Sequence, residues 1–114
     1  MLQIYGLKNC DSCRRTRKWL ETHHVDFQFI DLRDQSPTRK LIEYWVQQIG
    51  PDRLVNRRSN TWRGLTDPER RQAETAELPG LLSAKPELIK RPLVVDGGFL
   101  SAGFDEATFK KRYG

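Results

Sequence analysis

Two cysteines stand in the chain, three positions apart, in Cys10-Asp11-Ser12-Cys13. A C-x-x-C pair does redox chemistry when it follows a strand and opens a helix, and that context matters more than the spacing. At a helix N-terminus the orphan amides and the positive end of the dipole favour a thiolate, so Cys10 is the expected nucleophile. Lys8 adds positive charge to that field, and Asn9 sits in the same loop. One helical turn later, Cys13 falls on the same side, placed to attack a mixed disulfide on Cys10 and act as the resolving thiol. Asp11 opposes thiolate formation unless it faces away.

Two other readings of the pair are weaker. Half of a zinc centre completed by His23 and His24 fails on spacing, because adjacent histidines do not match structural zinc patterns and the helix holds them more than about 12 Å from the thiols. No metal site is expected. Two cysteines simply buried in a core sit poorly with the polar neighbours Lys8, Asn9, Asp11 and Ser12.

The elements that must position the pair can be read outward from it. Leu2, Ile4 and Leu7 mark a short strand ending at Gly6, and Asp11 to about His23 has no Gly or Pro and a helical apolar spacing through Cys13, Thr16 and Leu20. Val25 to Leu32, rich in β-branched and aromatic residues, predicts a buried strand parallel to the first, completing a βαβ unit. Ser36-Pro37 predicts a cap and first helical position for a second helix that stops at Gly50-Pro51. Residues 52–64 carry Arg53, Arg57, Arg58 and Arg63. Pro68 then opens a short helix ending near Pro79-Gly80, and Leu81 to Ile89 gives another. Leu93-Val94-Val95 and Phe99-Leu100 flank Asp96-Gly97-Gly98, an antiparallel hairpin signal, and Asp105 caps a final helix.

The chain is therefore expected to be one α/β domain, residues 1–114, with a helical insertion over about 36–89. Its 114 residues suit a single core. No apolar run approaches a membrane span and the first residues lack a signal-peptide pattern, so a cytoplasmic location is expected. In a reducing compartment two cysteines so close together are not a structural staple. The net charge of +5 comes from 20 basic residues interspersed with 15 acidic ones, which reads as a solvated surface with a local anion site rather than a nucleic-acid face.

Three separated segments, Tyr5-Gly6-x-Lys8-Asn9-Cys10-Asp11, Arg58-Ser59-x-x-Trp62-Arg63 and Ile89-Lys90-Arg91-Pro92-Leu93, resemble the arsenate-reductase-like family. That superfamily includes glutathione-dependent arsenate reductases, YffB-type reductase-like proteins and Spx-type transcriptional regulators. The resemblance implies a thioredoxin-like mixed sheet with an inserted helical subdomain, a cis peptide at Pro92, Cys10 as catalytic cysteine, and Arg58 and Arg91 as two of three arginines that hold an oxyanion or adduct. The third arginine falls near Ala102-Gly103-Phe104, where this chain has none, so arsenate is a doubtful substrate.

Gly103-Phe104 and the Asn60-Thr61-Trp62-Arg63 segment look most like the YffB-type members, which implies a thiol reductase with glutathione as co-substrate and no resident cofactor. Cys10-x-Ser12-Cys13-Arg14 looks like the redox switch of Spx-type regulators, which act by binding RNA polymerase. The expected function is a glutathione-dependent thiol–disulfide oxidoreductase. The alternatives are a redox-sensing regulator and a true arsenate reductase. Nothing resembles a nicotinamide, flavin or nucleotide site.

Overall fold

Strand β1 (Gln3–Gly6) alternates buried Ile4 and Gly6 with half-buried Gln3 and Tyr5, the period of two that sends successive side chains to opposite faces. The computed structural model describes residues 1–114, which divide into two compact units. The first, Met1–Asp31 with Arg91–Gly114, is a sheet unit, and the second, Leu32–Lys90, is a helical unit.

In the sheet unit, α1 (Asp11–Thr22) links β1 to β2 (Gln28–Asp31), and the two strands pair in parallel with Ile4 opposite Phe29. After the helical unit the chain returns through β3 (Leu93–Asp96) and β4 (Phe99–Ala102). β3 runs antiparallel to β1 with Val94 opposite Ile4, and the sheet order is β2-β1-β3-β4. The last helix of the chain covers Glu106–Tyr113, and the Asp105 carboxylate accepts its Ala107 amide at 3.2 Å, as the cap signal predicts. Leu2, Ile4, Leu20, Val94 and Phe109 form the core of this unit, with Trp19, Phe29 and Phe104 against it. Burial of each such side chain contributes about 1.5–3 kcal/mol.

The second strand is shorter than the expected Val25–Leu32. The first helix ends in a turn in which His24 has φ 57 and the amide of Val25 donates to the Leu20 carbonyl at 2.9 Å. That amide closes the helix and is not available to a strand ladder. The histidines are part of the same ending: the His23 ring stacks on Trp19 at 3.8 Å between centroids, and its Nδ1 lies 2.8 Å from the Trp19 carbonyl.

The helical unit contains α2 (Arg39–Ile49), α3 (Pro51–Leu54), α4 (Asn60–Arg63), α5 (Asp67–Ala73) and α6 (Leu78–Ala84), then a 3₁₀ turn at Pro86–Leu88. The Glu106–Tyr113 helix is α7. Ile42, Trp45, Leu54, Leu82, Leu88 and Ile89 are among the most buried side chains of the helical unit, and an antiparallel bridge joins Val55 to Ile89.

Three expected boundaries move, one of them the end of the helix expected over Leu81 to Ile89, which stops at Ala84 ahead of Pro86. Thr38, not Ser36, caps α2, accepting the Leu41 amide at 3.1 Å, while Ser36 Oγ donates to the Ser83 carbonyl at 2.7 Å. Pro79-Gly80 begins α6 rather than ending α5. A proline serves equally in a first helical turn and after a helix end, so the residue type alone does not tell the two apart.

Candidate active site at the mouth of the first helix

β1 ends at Gly6 and α1 starts at Asp11, with Cys10 as the N-cap in an extended conformation, φ −94 and ψ 127. No side-chain cap hydrogen bond closes this helix, so its first amides are left at the Cys10 sulfur. Asp11 does not cap either. It is 86% exposed and turned to Arg14, with which it forms an ion pair.

The loop between strand and helix is held from two sides. The Lys8 amide donates to Asp31 Oδ2 at 3.1 Å, from the end of β2, and Arg17 Nη2 donates to the Lys8 carbonyl at 3.1 Å. Arg17 itself lies over the Phe29 ring, 4.5 Å from its centroid. Lys8 and Asn9 are both exposed at this loop. The Arg91–Pro92 peptide is cis, as the family resemblance implies, and the Pro92 carbonyl accepts the Gly103 amide at 2.8 Å.

The two sulfurs occupy different environments. Cys10 is half-buried and Cys13 is 0% exposed. Burial pushes the Cys10 thiol up. The opposing hydrogen bonds of Ser12, the Cys13 amide, the Cys13 thiol and the Arg91 guanidinium overcome that and lower it to about 7. Burial pushes the Cys13 thiol up to about 11, against the Leu7 backbone hydrogen bond, and the neighbouring Cys10 raises it further. Around neutral pH Cys13 therefore keeps its proton and Cys10 is the thiol that ionises.

Three residues that the C-x-x-C reading passes over shape the surroundings of the two sulfurs, and one of them, Ser12, helps lower the Cys10 thiol. Ser12 Oγ lies 3.2 Å from Cys10 Sγ and 3.4 Å from the Arg91 carbonyl oxygen. Thr16, fully buried, donates its hydroxyl to the Ser12 carbonyl at 2.7 Å. Gly6 supplies room: a Cβ there would run into Cys13 Sγ. The sequence does carry signals for them, a serine inside the pair, a polar residue on an apolar helix stripe, and a glycine ending a strand that faces a helix.

Of the residues singled out from the sequence, Lys8, Asn9, Cys10, Cys13, Arg91 and Pro92 lie in the sheet unit. Arg58 lies in the helical unit, where it lines a cleft of about 380 Å³ with Arg57, Lys90 and Asn56. The Arg58 amide donates to Asn56 Oδ1 at 3.1 Å. No group of three or more His, Cys, Asp or Glu side chains is arranged to hold a metal ion. No helix is long and apolar enough to cross a membrane.

A βαβ–ββα mixed sheet with a cysteine pair at the mouth of its first helix and a cis-proline before its third strand defines a thioredoxin-like protein. Residues 5–112 match the ArsC family, and the chain belongs to it. An uncharacterized protein of Haemophilus influenzae is 32% identical over 113 residues, which is 99% of either chain. The regulatory protein MgsR of Bacillus subtilis is 31% identical, over 96% of this chain and 88% of MgsR. The solved structure of a YFFB protein superimposes with a TM-score of 0.90 at 28% identity, covering 100% of both chains.

Proposed function

We propose that this ArsC-family member is a thiol–disulfide oxidoreductase in which Cys10 attacks the sulfur of a disulfide or glutathione adduct. The observation that carries the reading is the placing of the two thiols, Cys10 half-buried at an uncapped helix N-terminus with Ser12 Oγ 3.2 Å from its sulfur and Cys13 fully buried, which draws the first down to about 7 and pushes the second up to about 11. A thiolate is the attacking species, and one whose pKa lies near ambient pH combines availability with nucleophilicity.

In the first step the Cys10 thiolate forms a bond to one substrate sulfur, the substrate S–S bond breaks, and the leaving thiolate takes a proton from solvent. Cys10 has then lost its charge, so its share in raising the Cys13 thiol disappears while burial remains. Cys13 loses its proton and attacks the Cys10 sulfur, releasing the second substrate fragment as a thiolate and leaving a Cys10–Cys13 disulfide. Two glutathione molecules return that disulfide to thiols and leave as oxidised glutathione, so glutathione is consumed as a co-substrate. Arg91 stabilises the thiolate, and Arg58 is assigned, on family resemblance, to an anionic part of the substrate. With no arginine at Ala102-Gly103-Phe104, a sulfur substrate fits better than arsenate.

Turnover of glutathionylated and disulfide substrates, with glutathione and with thioredoxin as reductants and arsenate as a comparison, tests the proposal. Cys13→Ser should trap a covalent adduct on Cys10 that mass spectrometry detects, and Cys10→Ser should trap none. Absence of both adduct and turnover would sink the enzyme reading.

The likeness to MgsR favours one second reading, a redox-sensing regulator in which the Cys10–Cys13 disulfide alters a surface contacted by RNA polymerase. Co-purification with polymerase together with no glutathione turnover would put it first.

A further inference from the structure

Ser12 presents one hydroxyl to two partners. Its Oγ is 3.2 Å from Cys10 Sγ and 3.4 Å from the Arg91 carbonyl oxygen, the second contact joining residues 79 positions apart. Its backbone is not free to drift, because Thr16 Oγ1 holds the Ser12 carbonyl at 2.7 Å from within the helix. A hydroxyl carries one proton and can donate to only one of those partners at a time.

We propose that Ser12 is a positioning residue whose O–H turns between the Arg91 carbonyl and the Cys10 sulfur according to whether Cys10 is neutral or charged. With Cys10 as a thiol, the sulfur can donate its own S–H to Ser12 Oγ, and the Ser12 proton points at the carbonyl. When Cys10 ionises, its proton leaves to solvent and the sulfur becomes acceptor only. The Ser12 O–H then turns to the thiolate, and the Arg91 carbonyl loses a donor. No proton passes from Ser12 in either direction; only its direction changes. The charge on Cys10 is thereby communicated to the segment that carries Arg91 and the cis-proline. Forming a mixed disulfide removes the charge and returns the hydroxyl to the carbonyl.

The other charged or titratable groups at this sulfur are Cys13 and Arg91. Asp11 is turned to Arg14, and Lys8 is exposed on the loop before the helix. Of these groups, Arg91 reaches the site with its guanidinium as well as its carbonyl, so the test must separate hydroxyl from charge.

The inference rests on Cys10 being the activated thiol of the proposed reaction. Cys10 is titrated in the wild type, Ser12→Ala and Ser12→Thr by the pH dependence of alkylation, while the Arg91 carbonyl is followed by ¹³C NMR over the same range. The wild-type midpoint is expected at about 7. Loss of a hydrogen bond to a charged group should raise it by about one unit in Ser12→Ala, and Ser12→Thr should stay near the wild type. The Arg91 carbonyl signal should step at the wild-type midpoint and lose most of that step in Ser12→Ala, although Cys10 still ionises there. An unchanged midpoint or an undiminished step in Ser12→Ala overturns the assignment, as does Ser12→Thr behaving like Ser12→Ala. A wild-type Cys10 that titrates like an ordinary cysteine, near roughly 8.5, instead overturns the activated-thiol reading beneath it.

Discussion

The sheet unit and the helical unit are held by different means. In the sheet unit one set of polar interactions converges: Ser12, the Cys13 amide and Arg91 meet at one sulfur, and Asp31 and Arg17 fix the loop before it, while Arg14–Asp11 and Arg112–Asp96 pair at the surface. In the helical unit the polar interactions lie apart on the surface, as ion pairs of Arg39 with Glu43 and Glu77, Arg57 with Asp52 and Glu74, and Lys85 with Glu69. Exposed pairs of this kind contribute little each, so caps and apolar burial hold those helices. The contrast teaches where sensitivity resides. A polar substitution at the Cys10 sulfur acts on chemistry, and one at a helix cap acts on stability.

The largest expected effects do not distinguish the units. Phe109→Ala removes a ring that meets Trp19, Phe104 and Tyr113 edge-on, and Trp45→Ala empties an equally buried position in the helical unit. Each should cost about 3–5 kcal/mol in urea unfolding. A loss under about 1 kcal/mol at either position would mean that its unit is held by something other than its core.

Gly6→Ala sharpens the contrast, because it forces a methyl group against the Cys13 sulfur and should cost about 1–3 kcal/mol. In a double-mutant cycle, Cys13→Ala should recover much of that loss, since the two positions share one space. Strict additivity would show that the clash is relieved elsewhere.

Arg91→Ala should leave stability nearly intact and raise the Cys10 midpoint above about 7, by about one unit, with Arg91→Lys recovering part of the difference. Because the thiolate is the reactive form, alkylation at a fixed neutral pH should slow in step with that rise. An unmoved midpoint would return Arg91 to a structural role.

The smallest effect is the most discriminating. Thr66 accepts the Glu69 amide at 3.3 Å and Glu69 Oε1 accepts the Thr66 amide at 2.9 Å, a reciprocal cap on α5. Thr66→Ala should cost about 1 kcal/mol and leave the Cys10 titration where it is. A shifted midpoint would show that the two units are not separable in this way.

Much of this contrast is legible in the sequence, and unevenly so. The hairpin between β3 and β4 is announced by Asp96-Gly97-Gly98, and Gly97 takes the positive φ of 60 that its type permits. The Cys10–Cys13 pair, the first helix and the cis-proline are likewise read from residue types and from family resemblance. The start of β2 is not, because Val25 has every attribute of a strand residue and loses its amide to the helix end. Thr66-x-x-Glu69 carries a capping-box spacing that is easily passed over beside the proline at 68. Ser12 inside the pair and Gly6 at a strand end are local hints, but each matters through what lies across from it in space, the Arg91 carbonyl and the Cys13 sulfur, which the hints do not identify.

The pairing of Ile4 with Val94, and of Ser12 with the Arg91 carbonyl, has a consequence for the chain while it is being made. Synthesis runs from the N-terminus, so Cys10 and Cys13 emerge from the ribosome about 80 residues before the strand that completes their sheet. Until Arg91 and Pro92 have followed, the α1 amides can form but neither the guanidinium nor the carbonyl partner of Ser12 exists. A nascent chain therefore carries two cysteines of more nearly ordinary reactivity, and the full acidity of Cys10 arises only once the late β3–β4 hairpin has closed against β1.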